Sequence, residues 1–427
     1  MAKDKVDPRE LEELLKLVES RQQITEQPVA SHLPYGTFFG PRVQLDFYDA
    51  NIPRLPFGIN EQEREVVRTL AGDPCRFKGD KTAEDVARQI LSQETALDLS
   101  NYSLSVSALG ARTAIASVLR KLVTGKRNLV AYASPNWVFE KVVAEVPNAR
   151  YLSFYANSGD SFVQRCEIIA KNVGDKMAAV IVVDPANPLG YRLSKEQTHY
   201  LERVAEKHGF PLIFDDAFRG LQAKGQKDTA AMHTRNSIIV ETTSKRFGAR
   251  GAGVTWTLIP RDHKIELEET IACTGCKSTA GYLTDALYTT GYGERVQSWV
   301  RGNAEAFMLG YRDGFGASPV FGTLRHAFPE MPIITLHGML TPDFRWNAEL
   351  LAAQAEPNIG ITSGTNWIKD QKEKMGDIPR NREEICEGVS YVRICPTKEP
   401  PDRSYLAGRF LAEIVASREK ILEQAVE

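Results

Sequence analysis

The chain has little of what marks several protein classes. Its six cysteines in 427 residues, at 75, 166, 273, 276, 386 and 395, are too sparse for a disulfide framework and fit a reducing compartment. Cys273 and Cys276 form the only close pair, and no second pair or histidine cluster at ligand spacing accompanies them, so no metal site is expected. The longest apolar run, 177–183, falls far short of the roughly 20 residues that a bilayer-crossing helix needs. No membrane association is expected. Charge of one sign is also lacking: 53 Lys and Arg against 55 Asp and Glu leave a net charge of -2, which gives no reason to expect a nucleic-acid or anionic-surface partner. The opening MAKDKVDPRELEELLK has no apolar stretch or small-residue cleavage site, so a cytoplasmic location is expected.

A chain this long exceeds one small core, so a large α/β domain with a smaller companion is expected. Asp7-Pro8 with Glu10 reads as a helix start, and Leu11, Leu14, Leu15 and Val18 follow as one apolar stripe. Prolines and glycines then break the pattern over 27–56, which suits an extended arm. Between about 83 and 260 the periodicity alternates between helical and short β-branched runs, the signature of a mostly parallel sheet. Strands are expected at 128–132, 151–154, 178–183, 211–214, 237–241 and 253–259, with a helix over 195–207 among them. Runs this continuous imply strands covered on both faces. Helical character returns over 280–311, a glycine- and proline-rich stretch follows to 342, and 403–424 reads as a last amphipathic helix.

In doubly wound sheets ligands bind beyond the carboxyl ends of the strands, so the residues just after each apolar run are the informative ones. Gly110, Ala111 and Arg112 form a glycine turn opening a helix, whose free N–H groups suit a phosphate, although glycine also starts helices for steric reasons. Trp137 follows a strand directly and reads equally as core. Asn187 stands between Pro185 and Pro188, where its amide is rigidly presented; Asp215 ends a buried strand, where a carboxylate must find a cation or donor, or caps the turn that follows. Lys245, after Ser244 and a fully apolar strand, is either an exposed loop lysine or an amine held in a cleft. Desolvation and neighbouring cations lower the pKa of such an amine, as Schiff-base chemistry requires.

In this order the loops resemble those of fold type I pyridoxal-phosphate enzymes, specifically the class I/II aminotransferases, over roughly 45–400. The resemblance implies an aspartate-aminotransferase-like fold: a large α/β domain whose mostly parallel seven-stranded sheet is covered by helices, and a smaller α+β domain from both chain ends. On that likeness 1–60 forms the N-terminal helix and arm, 61–310 the cofactor domain and 311–427 the C-terminal part. It further implies pyridoxal 5'-phosphate bound as an aldimine at Lys245, with Asp215 keeping the pyridine nitrogen protonated and Asn187 bonding the phenolic oxygen. Trp137 corresponds to the stacking aromatic, and Gly110, Ala111, Arg112 and Ser244 line the cofactor site. Arg393 resembles the arginine that grips the substrate α-carboxylate, and Asn187 is implied to contact the substrate as well. A homodimer is implied as well.

Three departures from the family pattern bear on the reaction. Phe218 stands where the family has a tyrosine that donates to the phenolic oxygen, which should raise the pKa of the cofactor imine. Gly253 stands where an arginine pairs with the phosphate; either Arg250 reaches back to it from a changed loop, which is favoured, or Arg112 or a partner subunit neutralises it. The segment 73–79 lacks the tyrosine that reaches the neighbouring subunit in relatives; Arg76 or Phe77 stands there instead. The expected activity is transfer of the amino group of a free α-amino acid to a 2-oxo acid, with Lys245 as cofactor anchor and general base. The alternative is a lyase, cyclase, replacement enzyme or oxidase of amino-acid specialised metabolism on the same fold.

Overall fold

Odd- and even-numbered residues of the central strands face different helices, and this alternation builds the molecule. The computed structural model describes residues 45–46, 61, 64–65, 83–107, 110–136, 139–221, 229–248, 254–267, 284, 287–315, 326–327, 334–336, 359–360, 362–363, 392–395, 397 and 399–416. Seven strands form one sheet: β1 (Tyr102–Ser107), β2 (Leu129–Ser134), β3 (Arg150–Tyr155), β4 (Met177–Val183), β5 (Leu212–Asp215), β6 (Ile238–Thr242) and β7 (Thr255–Pro260), in the order β1-β7-β6-β5-β4-β2-β3. Only β7 runs antiparallel to its neighbours, β1 and β6; the other pairings are parallel.

With a side-chain period of two, Val130, Tyr132, Ile181, Ile213, Val240 and Ile259 cover one face, against α2 (Gly110–Leu122) and α3 (Phe139–Ala144). Ala131, Val180, Val182, Phe214, Ile239 and Leu258 cover the other, against α1 (Ala83–Glu94), α4 (Gly159–Val173) and α5 (Lys195–His208). All seven residues of β4 are buried, so the continuous apolar reading of 178–183 holds. The helices start and stop where local chemistry demands. Ser194 accepts from the Gln197 N–H in a capping box, and Gly209, at φ +70, ends α5 in the left-handed conformation that glycine adopts without a Cβ penalty.

The strand at 102–107 was not among those read from hydropathy. It is an edge strand of alternating serines, paired only with β7. After β7, the helical character expected over 280–311 is present but interrupted: residues 284 and 287–289 are helical, a turn with Gly291 at φ +68 follows, and α7 (Tyr292–Phe315) continues from there. The terminal helix, α8 (Pro401–Ala416), starts two residues earlier than expected, with proline at its first position where no N–H is needed. A four-stranded antiparallel sheet, β8 (His326–Ala327), β9 (Ile334–Leu336), β10 (Thr362–Ser363) and β11 (Val392–Ile394), has the order β10-β11-β9-β8. Leu45–Asp46 pairs in parallel with Ile359–Gly360, joining residues from both ends of the chain. The expected N-terminal helix and most of the arm lie outside the described residues, as do Cys273 and Cys276. Among the described residues no helix is long and apolar enough to cross a membrane.

Candidate active site

Because β1, β2, β4, β5 and β6 all point the same way, their carboxyl ends share one edge of the sheet. The turns beyond them carry Gly110, Asn136, Asn187, Asp215 and Lys245, so the topology gathers these residues along one crevice.

Asp215 closes β5. Its Oδ1 accepts from the Ala217 N–H at 3.2 Å, so the carboxyl caps the turn that follows the strand. Loss of solvent pushes its pKa up to about 6, against the pull of that hydrogen bond and of the nearby Lys245 ammonium. Lys245 lies on the single turn α6 (Thr243–Arg246) directly after β6. Thr242 Oγ1 caps this turn by accepting from the Ser244 N–H at 3.2 Å, and also lies 2.9 Å from Ser244 Oγ. Both Lys245 and Ser244 are half-buried.

Asn187 is buried after β4, and its Oδ1 accepts from Arg393 Nη1 at 3.2 Å. Arg393 comes from β11, an interior strand of the small sheet, and is itself buried. It is therefore neither a surface charge nor on an edge strand. Two residues on, Cys395 packs against Phe218 and Leu221, which docks the small sheet against the turn after Asp215. Phe218, buried in that cluster, offers no hydroxyl.

Gly110 opens α2 at φ +77, and a Cβ built there would meet nothing within 4 Å. Ala111 is half-buried in that first turn, whereas the exposed Arg112 side chain is ion-paired with Glu145. Arg112 thus contributes its backbone to the turn while its guanidinium is engaged on the surface. Trp137, Arg250, Gly253, Arg76 and Phe77 lie outside the described residues. Among the described residues no group of His, Cys, Asp and Glu could hold a metal ion.

Sequence reading missed a buried ionic cluster behind the site. Glu94, at the end of α1, pairs with both Arg219 and Arg246, and Glu241 on β6 pairs with the same two arginines. The signals were weak: an acid closing a helix and an arginine after each of two candidate residues.

Residues 77–292 match the family described as aminotransferase class I and II. The chain belongs to that family. A valine–pyruvate aminotransferase from Mycobacterium tuberculosis is 23% identical over 133 residues, which are 31% of this chain and 34% of that protein. The chain thus aligns with about a third of the length of this curated relative. The multiple substrate aminotransferase from Thermococcus profundus superposes with a TM-score of 0.68 at 14% identity, covering 97% of this chain and 96% of that one. An aminotransferase-fold protein from Clostridium difficile, solved with PLP bound, gives 0.62 at 16% identity over 86% of this chain and 92% of its own. At these identities the two structures speak for the fold, which is that of aspartate aminotransferase and its relatives.

Proposed function

We propose that this member of the class I and II family is a pyridoxal-phosphate-dependent aminotransferase acting on a free α-amino acid, with a 2-oxo acid as second substrate. The observation that carries this reading is the placement of Asp215 and Lys245 at the ends of adjacent strands, near enough for the lysine to act on the carboxyl, on the same sheet edge as Asn187 with its partner Arg393. The donor set fits the cofactor: an amine, a carboxyl desolvated enough to favour a cationic ring partner, an amide, and an open glycine turn at a helix start. The C. difficile neighbour with PLP bound and the relative named for valine and pyruvate support the same reading.

When bound, pyridoxal phosphate supplies an aldehyde for the substrate amine and a ring that takes up the electron pair left on the α-carbon. Asp215, as a carboxylate, would hold the ring nitrogen in its protonated form. Arg393 holds the α-carboxylate with its planar fork while donating to Asn187, which fixes the plane of the guanidinium. With Oδ1 so engaged, the Asn187 amide keeps its NH2 group to donate toward the phenolic oxygen. Lys245 Nζ would anchor the cofactor and serve as the general base for the substrate α-proton. The first-turn N–H groups of α2 neutralise phosphate charge.

A second reading, a lyase, cyclase, replacement enzyme or oxidase, is favoured by Phe218. Its ring fills the place of a hydroxyl donor and packs on Cys395, so the groups that choose which bond breaks differ from the family pattern. The family likeness supports a homodimer, and the buried free Cys166 and Cys395 fit a reducing cytoplasm. Purified protein is tested against a panel of amino acids with and without 2-oxo acids, with products read by mass spectrometry. Amino-group transfer that is lost in Lys245→Ala is expected. Side-chain elimination or cyclisation without transfer selects the second reading, and turnover surviving Lys245→Ala removes both.

A further inference from the structure

Asp215 and Lys245 are each followed closely by a residue that plunges into one ionic cluster. Arg219 lies in the turn after Asp215, and Arg246 adjoins Lys245. Glu94 joins them: Arg246 Nη1 donates to its Oε2 at 2.7 Å, Arg246 Nη2 pairs with its Oε1, and Arg219 Nη1 lies 3.2 Å from Oε2. Glu241 closes the ring from β6, paired with Arg219 and 3.6 Å from Arg246. All four side chains are at most 8% exposed, so the ring is shielded from salt.

The charges balance. Two guanidiniums meet two carboxylates, and the neighbouring Asp216, fully buried and 3.5 Å from Arg219 Nε, is pushed toward its neutral form by desolvation. Burial would lower the Arg219 pKa, but the surrounding carboxylates outweigh it and hold the residue charged. Glu94 stands in the last turn of α1, where a negative charge opposes the helix dipole. Helix chemistry therefore gives no reason for an acid there, whereas the two arginines do. Further packing fixes Arg246: its guanidinium lies 5.0 Å over the Phe247 ring, and a Cβ on Gly220 would lie 3.0 Å from its Cδ and Nε.

We infer that Glu94 is a positioning residue: by clamping Arg219 and Arg246 together, it sets the spacing between Asp215 and Lys245 and hence the proton balance of the cofactor held between them. This inference rests on the proposed role of Lys245. Glu94 touches no reacting atom; it acts through the two turns it ties. A merely structural ring would matter only for folding, because a buried pair replaced by neutral groups of similar volume is commonly tolerated, whereas removing one partner strands a charge.

The test compares wild type, Glu94→Gln, and the charge-balanced Glu94→Gln/Arg246→Met, each loaded with pyridoxal phosphate. Two readouts are taken: the thermal midpoint without cofactor, and the pH midpoint of the visible cofactor band. Glu94→Gln is expected to lower the thermal midpoint, and the double variant to recover most of that loss. Positioning predicts that the pH midpoint of the double variant still differs from wild type by about one unit or more. Recovery of both readouts in the double variant overturns the inference. If the double variant does not fold, Glu94→Asp, which keeps the charge and shortens the reach, replaces it; an unchanged pH midpoint there also overturns the inference. Failure of borohydride to fix the cofactor on wild-type Lys245 strikes the underlying functional reading instead, and is seen before any variant is made.

Discussion

Arg393 and Asn187, 206 positions apart in the chain, meet as buried partners at 3.2 Å, so the small sheet delivers its cation directly onto the turn after β4. The bond orients the guanidinium, the planar group that the proposed substrate carboxylate would meet. Lysine has three donors but no planar fork to match both oxygens of a carboxylate while also reaching Asn187. Arg393→Lys is therefore expected to raise KM for the amino acid about 10- to 100-fold, the scale of a lost charge-assisted hydrogen bond, while the cofactor stays bound. Steady-state kinetics beside a cofactor titration checks this. An unchanged KM would remove Arg393 from the substrate site.

A pH dependence follows from Asp215. Its folded pKa of about 6 lies above the ordinary 3.8, so between those values the folded protein binds more protons than the unfolded chain. Stability without cofactor therefore falls as pH rises from about 4 to about 6, and the penalty stays constant above that window. Asp184 and Asp216, also raised by burial, act in the same direction, so the informative quantity is the difference between wild type and Asp215→Asn. The variant is expected to show a flatter denaturation profile over this window and greater stability at pH 7 without cofactor. Its turnover should be lower by about 100-fold or more, as is typical when a preorganised charge is removed from a site. Urea denaturation at closely spaced pH values gives the first result and single-turnover rates the second.

The parts of this architecture written in local pattern were legible. β4 stands out because both faces are covered and every residue is apolar, and β6 because its buried run 238–240 is β-branched. β1 escaped because Tyr102–Ser107 alternates serine with apolar residues at a sheet edge, and half of its positions are only partly buried. Lys245, Asp215, Asn187 and Arg393 were nameable only through the ordered resemblance, since each alone reads equally well as a loop or cap residue. The Glu94 cluster left only weak local signals. Its members are separated by up to 152 positions, and no spacing rule links the end of a helix to an arginine after a distant strand.

Phe218 offers a test of how this site differs from its family. It is buried against Leu221 and Cys395. Phe218→Tyr adds a hydroxyl that lacks a partner in that cluster without cofactor, and should cost about 1–3 kcal/mol. With cofactor bound, the hydroxyl gains the phenolic oxygen as acceptor. The variant is thus expected to lose thermal stability without cofactor, recover part of it on loading, and titrate its visible band at lower pH than wild type. An identical loss with and without cofactor would place position 218 away from the ring.

The last prediction concerns the platform behind Arg393. Trp299 on α7 donates its Nε1–H to the Thr397 carbonyl at 3.3 Å, just beyond β11, and α8 follows directly, with the Ser404 N–H bonded to the Pro400 carbonyl. The helices α7 and α8 touch at Gly408, where a Cβ would lie 2.0 Å from the Phe307 carbonyl oxygen and 2.8 Å from the Tyr311 nitrogen. Both obstacles are backbone and cannot rotate away, so the two helices must part. Gly408→Ala is expected to destabilise the protein by about 3 kcal/mol, the upper range for overpacking. Movement of α8 is passed through 397–400 to β11, so KM for the amino acid should rise while Lys245 still captures the cofactor. Differential scanning calorimetry with parallel kinetics below the melting range separates the two effects. A stability loss with unaltered KM would show that Arg393 is held by its own sheet alone.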